Sequence, residues 1–455
     1  MGNKLISIIG ASESGVGAAV LAKKQGYEVF VSDYGRIQSK YEAVLLKEGI
    51  AYEQNGHSID KVLQAGCLVK SPGVPNNASL IQQAKAKGIK VLSEIEWASQ
   101  FTKAKIIAVT GSNGKTTTAS WLFYLLKLAG FNVGLAGNIG DSFAWSVAND
   151  AFDYYVLEVS SFQLDDIVYF KPYIAILTNI TPDHLDRYNY DMEAYAKAKF
   201  LVTKNQTKND FFITNFDDDG VKKYWQNNIE ATVYGFATKQ LIKKGAYANQ
   251  NDIVVQLAAE KPIVLNKNIV GLKGKHNLLN AMAVLLAANL LKVDQKIVAE
   301  ALTGFNTLEH RLELVATIKG IEFINDSKAT NIDAAWYALD AMTKPVIWVA
   351  GGIDKGNDYQ ILQDLVQNKV RAIVCLGVDN TKIYAAFNKC VEIITETKNA
   401  GDAVKMAYKM AKNKEVVLLS PACSSFDLFH NYMDRGNQFK KEVNALKAKV
   451  EVENR

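Results

Sequence analysis

The sequence predicts an α/β protein built on parallel sheets and divided into three domains. Short apolar runs alternate with helix-length amphipathic segments along its 455 residues, which is the pattern of strands joined by crossover helices. Polar or Gly-rich turns follow several of these runs, where strands of such folds end. At roughly 100–200 residues per domain, the length corresponds to about three domains. We place them at residues 1–93, 94–305 and 306–455.

The composition is ordinary for a globular protein. Apolar residues make up 49% of the chain, and the net charge of +5 comes from scattered Lys and Arg, so we expect no nucleic-acid or membrane patch. The four cysteines form no CxxC pair, which predicts reduced thiols rather than a zinc site or disulfides. The N-terminus runs directly into a strand-like segment without a signal-peptide pattern. We therefore expect a cytoplasmic protein, and we expect a monomer.

The first domain begins as a βαβ unit and predicts a Rossmann-like fold. Its predicted strands are Lys4–Ile9, Glu28–Val31, Cys67–Lys70 and Ile89–Leu92. The turn Gly10–Gly17 resembles a dinucleotide-binding fingerprint in which Ser12 replaces the middle glycine, which restricts backbone approach to a pyrophosphate. Asp33 follows the second strand and can accept from a ribose or base donor. A stiff turn, Ser71–Pro75, follows the third strand.

The second domain opens with a candidate phosphate-binding loop. Strand Lys105–Val109 leads into GSNGKTT, after which a helix runs to Leu128. Glycines let backbone N–H groups converge on phosphate oxygens, and the helix N-terminus adds its positive dipole end. Lys115 would reach the β- and γ-phosphates, and the Thr116 hydroxyl would bind Mg²⁺. The general pattern has glycine at Val109, so the loop is a variant. The predicted ATP-binding loop residues are Gly111, Ser112, Asn113, Gly114, Lys115, Thr116 and Thr117.

Two later strands of this domain end in polar residues. Strand 153–157 ends at Glu158, a candidate Mg²⁺ ligand because Mg²⁺ prefers hard oxygens, although a surface acid is an equal alternative. Strand Tyr173–Thr178 is followed by a segment containing His184, at the edge where ligands bind in open α/β sheets. Taken alone, His184 is more often structural. Residues 207–272 are rich in β-formers and turns, and predict a smaller β-rich part.

The third domain again alternates strands and helices, and predicts a second Rossmann-like unit. Each strand is followed by a polar or Gly-rich turn. The predicted strands are Glu322–Asn325, Val346–Ala350, Ala372–Leu376 and Val416–Leu419.

A set of motifs, in order along nearly the whole chain, resembles the Mur ligases of peptidoglycan synthesis. They are GSNGKTT, LEVSSFQL, TPDHLDR, GKHNLLN at 274–280, EHR at 309–311, NDSKATN at 325–331 and SPACSSFDLF at 420–429. The last is most similar to the D-glutamate-adding members. The resemblance implies an ADP-forming amide ligase that uses ATP to join D-glutamate to UDP-N-acetylmuramoyl-L-alanine through an acyl phosphate. It assigns the UDP-sugar, ATP and the amino acid to the first, second and third domains.

The resemblance also implies roles for individual residues. It implies that the catalytic residues are Lys115, Asn138, His184 and Lys199. Two Mg²⁺ ions would be held through Thr116, Glu158, His184 and a carbamylated Lys199. Ser160 and Asp183 match positions near substrate or metal. The base and ribose of ATP would be bound by Asn280, Arg311 and Asp326, with His276, Asn277 and Lys328 near the reacting phosphates. UDP-sugar positions are Ser14, Asp33, Tyr34, Gly73 and Asn138, and D-glutamate positions are Thr330, Lys355, Ser425, Phe426 and Tyr432.

Three of these assignments have alternatives from the residues alone. Lys199 would ordinarily be a solvated helix lysine, and Phe426 and Tyr432 would ordinarily pack in a core. The family often has an arginine two positions after the Asp33 equivalent, but Gly35 stands there and Arg36 follows, so uracil recognition stays open.

Other protein classes remain as alternatives. A lysine- or diaminopimelate-adding sibling is disfavoured because its DNPR-type motif is absent from the sequence. A folate-polyglutamate synthetase lacks a domain like residues 1–93. A dinucleotide-dependent oxidoreductase would explain Gly10–Gly17 but not the phosphate loop, and a non-enzymatic nucleotide switch would not explain the amino-acid-binding set.

Overall fold

The computed structural model describes residues 4–257, 261–305, 309–354 and 356–453, with Asp186 and Glu453 described by their backbone only. The chain separates into two compact units. The first unit comprises Met1–Ile180, Arg187–Gly271 and Asn277–Phe305, and the second comprises Thr181–Asp186, Leu272–His276 and Asn306–Arg455. The first unit thus holds most of the first two predicted domains. The boundaries at 93 and 305 stay predictions.

The first sheet is a five-stranded parallel sheet with the order β3-β2-β1-β4-β5. Its elements are β1 (Leu5–Ile9), α1 (Glu13–Lys24), β2 (Glu28–Ser32), α2 (Ser39–Lys47), β3 (Ala51–Glu53), α3 (Ile59–Val62), β4 (Cys67–Lys70), α4 (Ser79–Ala86), β5 (Lys90–Ser93) and α5 (Glu94–Ser99). The predicted Rossmann-like fold is confirmed. The short, partly exposed β3 was not predicted, because three residues carry too little periodicity to be recognised.

The second sheet has nine strands in the order β14-β13-β12-β11-β10-β9-β6-β8-β7. Its elements are β6 (Lys105–Thr110), α6 (Lys115–Leu128), β7 (Val133–Gly137), α7 (Phe143–Asn149), β8 (Tyr154–Glu158), α8 (Ser161–Leu164), β9 (Ile174–Leu177), α9 (Met192–Phe200), β10 (Phe211–Asn215), α10 (Asp219–Lys223), β11 (Thr232–Ala237), β12 (Gly245–Ala248), β13 (Asp252–Gln256), β14 (Ile263–Asn266), α11 (Lys275–Leu290) and α12 (Gln295–Gly304). Short 3₁₀ helices lie at Leu185–Tyr188, Leu201–Thr203 and Lys267–Ile269.

The β-rich part predicted at residues 207–272 forms strands that extend the second sheet. β11 pairs in parallel with β10, and β12 then pairs with β11. Antiparallel pairing begins only at β13 and β14. Each added strand satisfies the backbone groups that the edge of its neighbour would otherwise leave unpaired.

The third sheet lies in the second unit and has the order β15-β16-β20-β17-β18-β19. Its elements are β15 (Glu313–Ile318), β16 (Ile321–Asn325), α13 (Ile332–Ala341), β17 (Val346–Ala350), a 3₁₀ helix (Tyr359–Leu362), α14 (Gln363–Lys369), β18 (Val370–Leu376), α15 (Thr381–Phe387), β19 (Ile393–Thr397), α16 (Ala400–Met410), β20 (Val416–Leu419) and α17 (Tyr432–Glu453). Only β15 runs antiparallel to its neighbour. Alternate residues of β17 enter two different apolar clusters, so both faces of this sheet are buried, as parallel sheets require.

Buried polar contacts join the first and second sheets into one unit. The Glu96 carboxylate accepts hydrogen bonds from three consecutive backbone N–H groups, those of residues 168–170. Lys70 Nζ lies 2.8 Å from Asp166 Oδ2, and both side chains are buried. A buried charge is stable only with such partners, which hold the two sheet layers in a defined arrangement.

Within the described part of the chain, no helix has both the length and the apolar character that a bilayer crossing requires.

Candidate active site

The loop between β6 and α6 has the geometry of a phosphate-binding turn. Gly111 and Gly114 adopt positive φ angles of 141° and 82°, and α6 begins at Lys115. Val109 lies inside β6, fully buried and paired with strands on both sides. The variant at this position therefore has a structural reason: the strand continues through Val109, and the turn that needs glycine starts only at Gly111.

The end of β9 holds this loop in place. The backbone N–H of Ser112 donates to Asn179 O at 3.0 Å, and that of Asn113 donates to Asn179 Oδ1 at 2.8 Å. Thr178 Oγ1 donates to Asn113 O at 2.6 Å. Thr178 and Asn179 are not among the predicted site residues, although their place at the carboxyl end of a buried strand was an available signal.

Two lysine ammonium groups converge on the same loop. Lys115 Nζ donates to the carbonyls of Gly111 and Ser112, each at 2.8 Å, and Lys199 Nζ donates to Gly111 O at 2.8 Å. Lys199 is only 2% exposed, and its neighbour Tyr195 lies 3.0 Å from Ser112 through their hydroxyl oxygens. The interpretation of Lys199 as a solvated helix lysine is therefore wrong. Both side chains therefore end at the loop where phosphate oxygens would bind.

Gly114 is packed directly against α11, which gives a first prediction. A Cβ at Gly114 would lie 2.6 Å from Asn280 Oδ1, whereas Gly130, with a similar φ of 78°, has nothing within 4 Å. Both Gly→Ala changes incur roughly 1–2 kcal/mol of left-handed backbone strain, but only Gly114→Ala also displaces the loop. We expect Gly114→Ala to weaken binding of a fluorescent ATP analogue by about tenfold or more. Gly130→Ala is the matched control, and equal affinity in the two variants would contradict the prediction.

Glu158 and Asn138 are brought together at the end of β8. Asn138 Nδ2 donates to Glu158 Oε1 at 2.9 Å, and the Asn138 N–H donates to Glu158 O at 2.9 Å. Glu158 is 1% exposed, so the surface-acid alternative is wrong. Ser160 caps α8 in a reciprocal capping box with Gln163, which fixes the chain just after Glu158.

Oxygen donors suited to Mg²⁺ lie at the carboxyl ends of neighbouring strands. Thr116 is buried in the first turn of α6 after β6, and Glu158 ends β8, which pairs with β6. A buried hydroxyl and a buried carboxylate are the hard ligands that Mg²⁺ takes. The residues present therefore fit the predicted metal. Thr117 is also buried in this turn.

The second unit contains His184 and Asp183. His184 Nε2 lies 3.7 Å from Asp183 Oδ2, which also accepts from Asn331 Nδ2 at 3.2 Å. His184 adopts a left-handed φ of 51°, uncommon for a non-glycine residue and frequent at functional sites. Of the four candidate metal ligands, Thr116, Glu158 and Lys199 belong to the first unit and His184 to the second.

The residues predicted to bind the base and ribose of ATP are also divided between the two units. Asn280 lies in the first unit, whereas Arg311 and Asp326 lie in the second. Asp326 is buried, and it accepts from Ser420 Oγ at 2.9 Å and from the Leu312 N–H at 3.2 Å. Burial raises the pKa of Asp326 to about 7, against the lowering effects of the Ser420 hydrogen bond and the Arg311 charge.

The raised pKa of Asp326 gives a pH-dependent stability prediction. Because the folded-state pKa of about 7 exceeds the ordinary value of 3.8, ionisation of Asp326 opposes folding. The resulting loss of folding stability grows from about pH 4 to pH 7 and stays constant above pH 7. Asparagine mimics the neutral acid. We expect the melting temperature of Asp326→Asn, relative to wild type, to be higher at pH 8 than at pH 5. The exposed Asp364→Asn is the control, and a difference independent of pH would contradict the prediction.

His276 lies in the second unit, with its ring 5.2 Å from that of Tyr337. Burial, aided by the positive charge of Arg311, lowers the pKa of His276 to about 4. The imidazole is therefore neutral near pH 7, where it acts as a hydrogen-bonding group rather than as a cation.

The predicted amino-acid-binding residues also lie in the second unit. Phe426 is 69% exposed, so the core-packing alternative is wrong for this residue, while Tyr432 is half-buried at the start of α17. Ser425 is buried and Thr330 is half-buried. Lys355 lies outside the described residues. These roles stay predictions.

Arg435 is a buried residue that the sequence analysis missed. Its Nη2 donates to Ser327 O at 2.8 Å, its Nε to Ser327 Oγ at 3.0 Å and its Nη1 to Cys423 O at 3.2 Å. It thereby joins the NDSKATN and SPACSSFDLF segments. No local signal distinguishes such an arginine from a solvated one, because only the tertiary contacts bury it.

The turn after β1 is closed by Asp33. Its Oδ2 accepts from the Ala11 N–H at 2.6 Å, and its Oδ1 accepts from the Gly35 N–H at 2.8 Å. A Cβ at Gly15 would lie 1.8 Å from Gly10 O, so this glycine is required. Ser12, by contrast, has an ordinary φ of −86° as the residue preceding α1. Serine is therefore compatible with this turn, and the restricted approach of the backbone to a pyrophosphate stays a prediction.

The other predicted UDP-sugar residues lie on the same unit. Ser14 is in the first turn of α1, Tyr34 is 80% exposed, and Gly73 is exposed in the turn after β4. Arg187, which is not among the predicted site residues, donates to Gly73 O at 3.3 Å and to Pro72 O at 3.2 Å. The arginine thereby fixes the turn on which Gly73 lies.

Comparison with protein families gives three matches in order along the chain. The Mur ligase MurD-like N-terminal domain matches residues 4–93, the Mur ligase middle domain matches 109–288, and the Mur ligase glutamate ligase domain matches 310–423. The three matches correspond to the three sheets, which confirms the predicted three-domain α/β organisation.

Individual relatives extend the similarity over nearly the whole chain. A UDP-N-acetylmuramoylalanine–D-glutamate ligase from Christiangramia forsetii is 48% identical over 98% of this chain and 100% of its own. A ligase of the same name from Bacteroides thetaiotaomicron is 48% identical over 97% of this chain and 100% of its own. Among solved structures, a pseudomurein peptide ligase type C from Methanothermus fervidus has a TM-score of 0.62 at 19% sequence identity. The match covers 98% of this chain and 100% of that one, and it supports the fold. By its domains and its full-length relatives, the chain belongs to the Mur ligase family.

Proposed function

We propose that this protein is an ADP-forming ligase that uses ATP to join D-glutamate to UDP-N-acetylmuramoyl-L-alanine in peptidoglycan precursor synthesis. The observation that carries the proposal is the 48% identity, over essentially the full length, to ligases named for this reaction. The phosphate loop beside buried Lys199 and Glu158 supports it independently, since this arrangement suits phosphoryl transfer. We also propose a cytoplasmic, monomeric enzyme.

The reaction has two steps. The L-alanine carboxylate of the UDP-sugar attacks the γ-phosphorus of ATP, an acyl phosphate forms, and ADP leaves. The amine of D-glutamate then attacks the acyl carbon, and the tetrahedral intermediate collapses to the amide and phosphate. Both steps depend on positioning and charge neutralisation more than on covalent participation by the protein. Lys115 and the N-terminus of α6 position the transferred phosphoryl group and neutralise its charge.

Mg²⁺ would be held by Thr116, Glu158, His184 and Lys199, with Asn138 positioning Glu158 through their hydrogen bond. When bound, Mg²⁺ supplies positive charge to the phosphate oxygens. We place two ions here and a carbamate on Lys199, because carbamylation replaces a buried ammonium with oxygen atoms that a metal accepts as ligands. The near-complete burial of Lys199 beside Gly111 supports this assignment.

The remaining predicted residues divide among the three substrates. The carboxylates of D-glutamate need cationic and hydroxyl partners, which Lys355, Thr330 and Ser425 provide. Phe426 and Tyr432 contribute apolar contact beside them. The adenosine contacts are Asn280, Arg311 and Asp326, with His276, Asn277 and Lys328 near the phosphates, and the UDP-sugar contacts are Ser14, Asp33, Tyr34, Gly73 and Asn138.

A phosphate-release assay tests the proposal. With ATP, Mg²⁺ and UDP-N-acetylmuramoyl-L-alanine present, we expect D-glutamate to stimulate release among a panel of amino acids. Release stimulated only by L-lysine or diaminopimelate would overturn the assignment in favour of a sibling ligase. A fluorescence titration with NAD(P)H tests the oxidoreductase alternative, for which we expect no binding.

A further inference from the structure

A chain of hydrogen bonds at the edge of the first sheet joins three residues that are not among the proposed substrate or metal contacts. Ser32, the last residue of β2, is fully buried. Its Oγ lies 2.6 Å from Glu53 Oε1 and 2.6 Å from His57 Nδ1. Glu53 is the last residue of β3, and His57 follows in the next turn. The three residues therefore lie at the carboxyl edge of a parallel sheet, where ligands of such folds bind.

The His57 turn is joined to the turn that carries the proposed UDP-sugar contacts. The Asn55 N–H donates to Gly35 O at 2.9 Å, and the Gly56 N–H donates to Asp33 O at 3.3 Å. The ring centroids of His57 and Tyr34 are 5.9 Å apart, with the planes inclined at 46°. An imidazole and an exposed phenol ring therefore stand together directly beside Asp33.

The hydrogen bonds determine which nitrogen of His57 carries the proton. Burial opposes ionisation of Glu53, but hydrogen bonds from Ser32 and Ser58 outweigh it and lower the pKa of this carboxyl. An ionised carboxylate only accepts, so the single hydroxyl proton of Ser32 points to Glu53. Ser32 Oγ is then left to accept from His57 Nδ1–H. In the neutral imidazole, this arrangement leaves a lone pair on Nε2, which can accept a hydrogen bond.

We propose that His57 reads the base of the nucleotide sugar: Nε2 accepts from the imide N–H of uracil, and the Tyr34 ring covers the face of the base. The inference rests on the proposed function, which makes the ligand a UDP-sugar. Uracil carries a proton on the ring nitrogen of its pairing edge, whereas cytosine carries a lone pair there. An acceptor on His57 therefore favours uracil. Ser32 and Glu53 are positioning residues that fix the tautomer.

The test compares UDP and CDP as competitive inhibitors against UDP-N-acetylmuramoyl-L-alanine. We expect the wild type to prefer UDP by about tenfold or more, the effect of one well-placed hydrogen bond to a base edge. In His57→Ala this preference should fall to within about twofold, and the KM for the UDP-sugar should rise about tenfold, since one hydrogen bond is lost. The KM values for ATP and D-glutamate should stay unchanged.

Two further variants address the positioning residues. In Ser32→Ala and Glu53→Gln, the tautomer of His57 is no longer fixed, so the preference for UDP over CDP should decrease even where the melting temperature is unchanged. The exposed His430→Ala is the matched control and should keep the wild-type preference. These variants keep the test informative if His57→Ala fails to fold.

The possible outcomes separate this inference from the proposed function. A wild type that does not turn over the UDP-sugar with D-glutamate contradicts the proposed function itself. An active wild type that binds UDP and CDP equally overturns only the role of His57. So does a His57→Ala protein that keeps the wild-type preference, even with a raised KM, because packing alone would then explain the change.

Discussion

Replacing Lys115 with alanine is expected to lower phosphate release by roughly a thousandfold, the upper range for removing one preorganised charge-stabilising donor. Lys115 opens α6, and its ammonium group already lies against the Gly111 and Ser112 carbonyls of the loop. The variant therefore loses both the charge that neutralises the transferred phosphoryl group and two hydrogen bonds that shape the loop. The measurement is phosphate release with ATP, UDP-N-acetylmuramoyl-L-alanine and D-glutamate at saturating concentrations.

The matched control is Lys127→Ala, in the last turn of the same helix. Lys127 lies near aromatic rings rather than near the loop, so its removal should change turnover by no more than about twofold, as surface changes usually do. Thermal melting of both variants shows whether the fold is retained. A folded Lys115→Ala protein with wild-type turnover would exclude the proposed phosphate site.

Lys199→Ala is expected to lower turnover by about a hundredfold or more, because it removes a group held against the phosphate loop. Its control is Lys197→Ala, an exposed lysine on the same helix, whose side chain forms a surface ion pair with Glu193 one turn earlier. Such surface pairs contribute little to stability, so Lys197→Ala should retain near-wild-type turnover.

Carbamylation of Lys199 has a separate readout. With ¹³C-bicarbonate, NMR of the wild-type protein should show a carbamate carbon signal that is absent from Lys199→Ala and present in Lys197→Ala. A signal that persists in Lys199→Ala would assign the carbamate elsewhere. If Lys199→Ala loses turnover but the wild-type protein shows no carbamate signal, the unmodified lysine is sufficient for activity.

Much of the fold could be predicted from local patterns. Strands β1, β6, β17 and β20 are short apolar runs bounded by turn residues, and the structure has them within a residue of the prediction. The phosphate loop was recognisable for the same reason. Its glycines, lysine and threonine are contiguous, so their chemistry can be read without knowing the tertiary structure.

Side-chain environments could not be predicted in this way. Lys199 has the sequence context of any helix lysine, yet α9 places it against Gly111, which lies 88 positions earlier in the chain. Glu158 is buried and accepts a hydrogen bond from Asn138, which follows the neighbouring strand β7. Phe426, an aromatic residue in an apolar-rich segment, is exposed instead.

The sequence by itself determined the three α/β domains, the phosphate loop and, through motifs along the whole chain, the family. The tertiary structure alone decided which charged groups are buried together and that Ser32 lies between Glu53 and His57. The physical reason is that backbone propensity and hydrophobic periodicity are local, whereas desolvation and hydrogen-bond partners arise between residues distant in the chain.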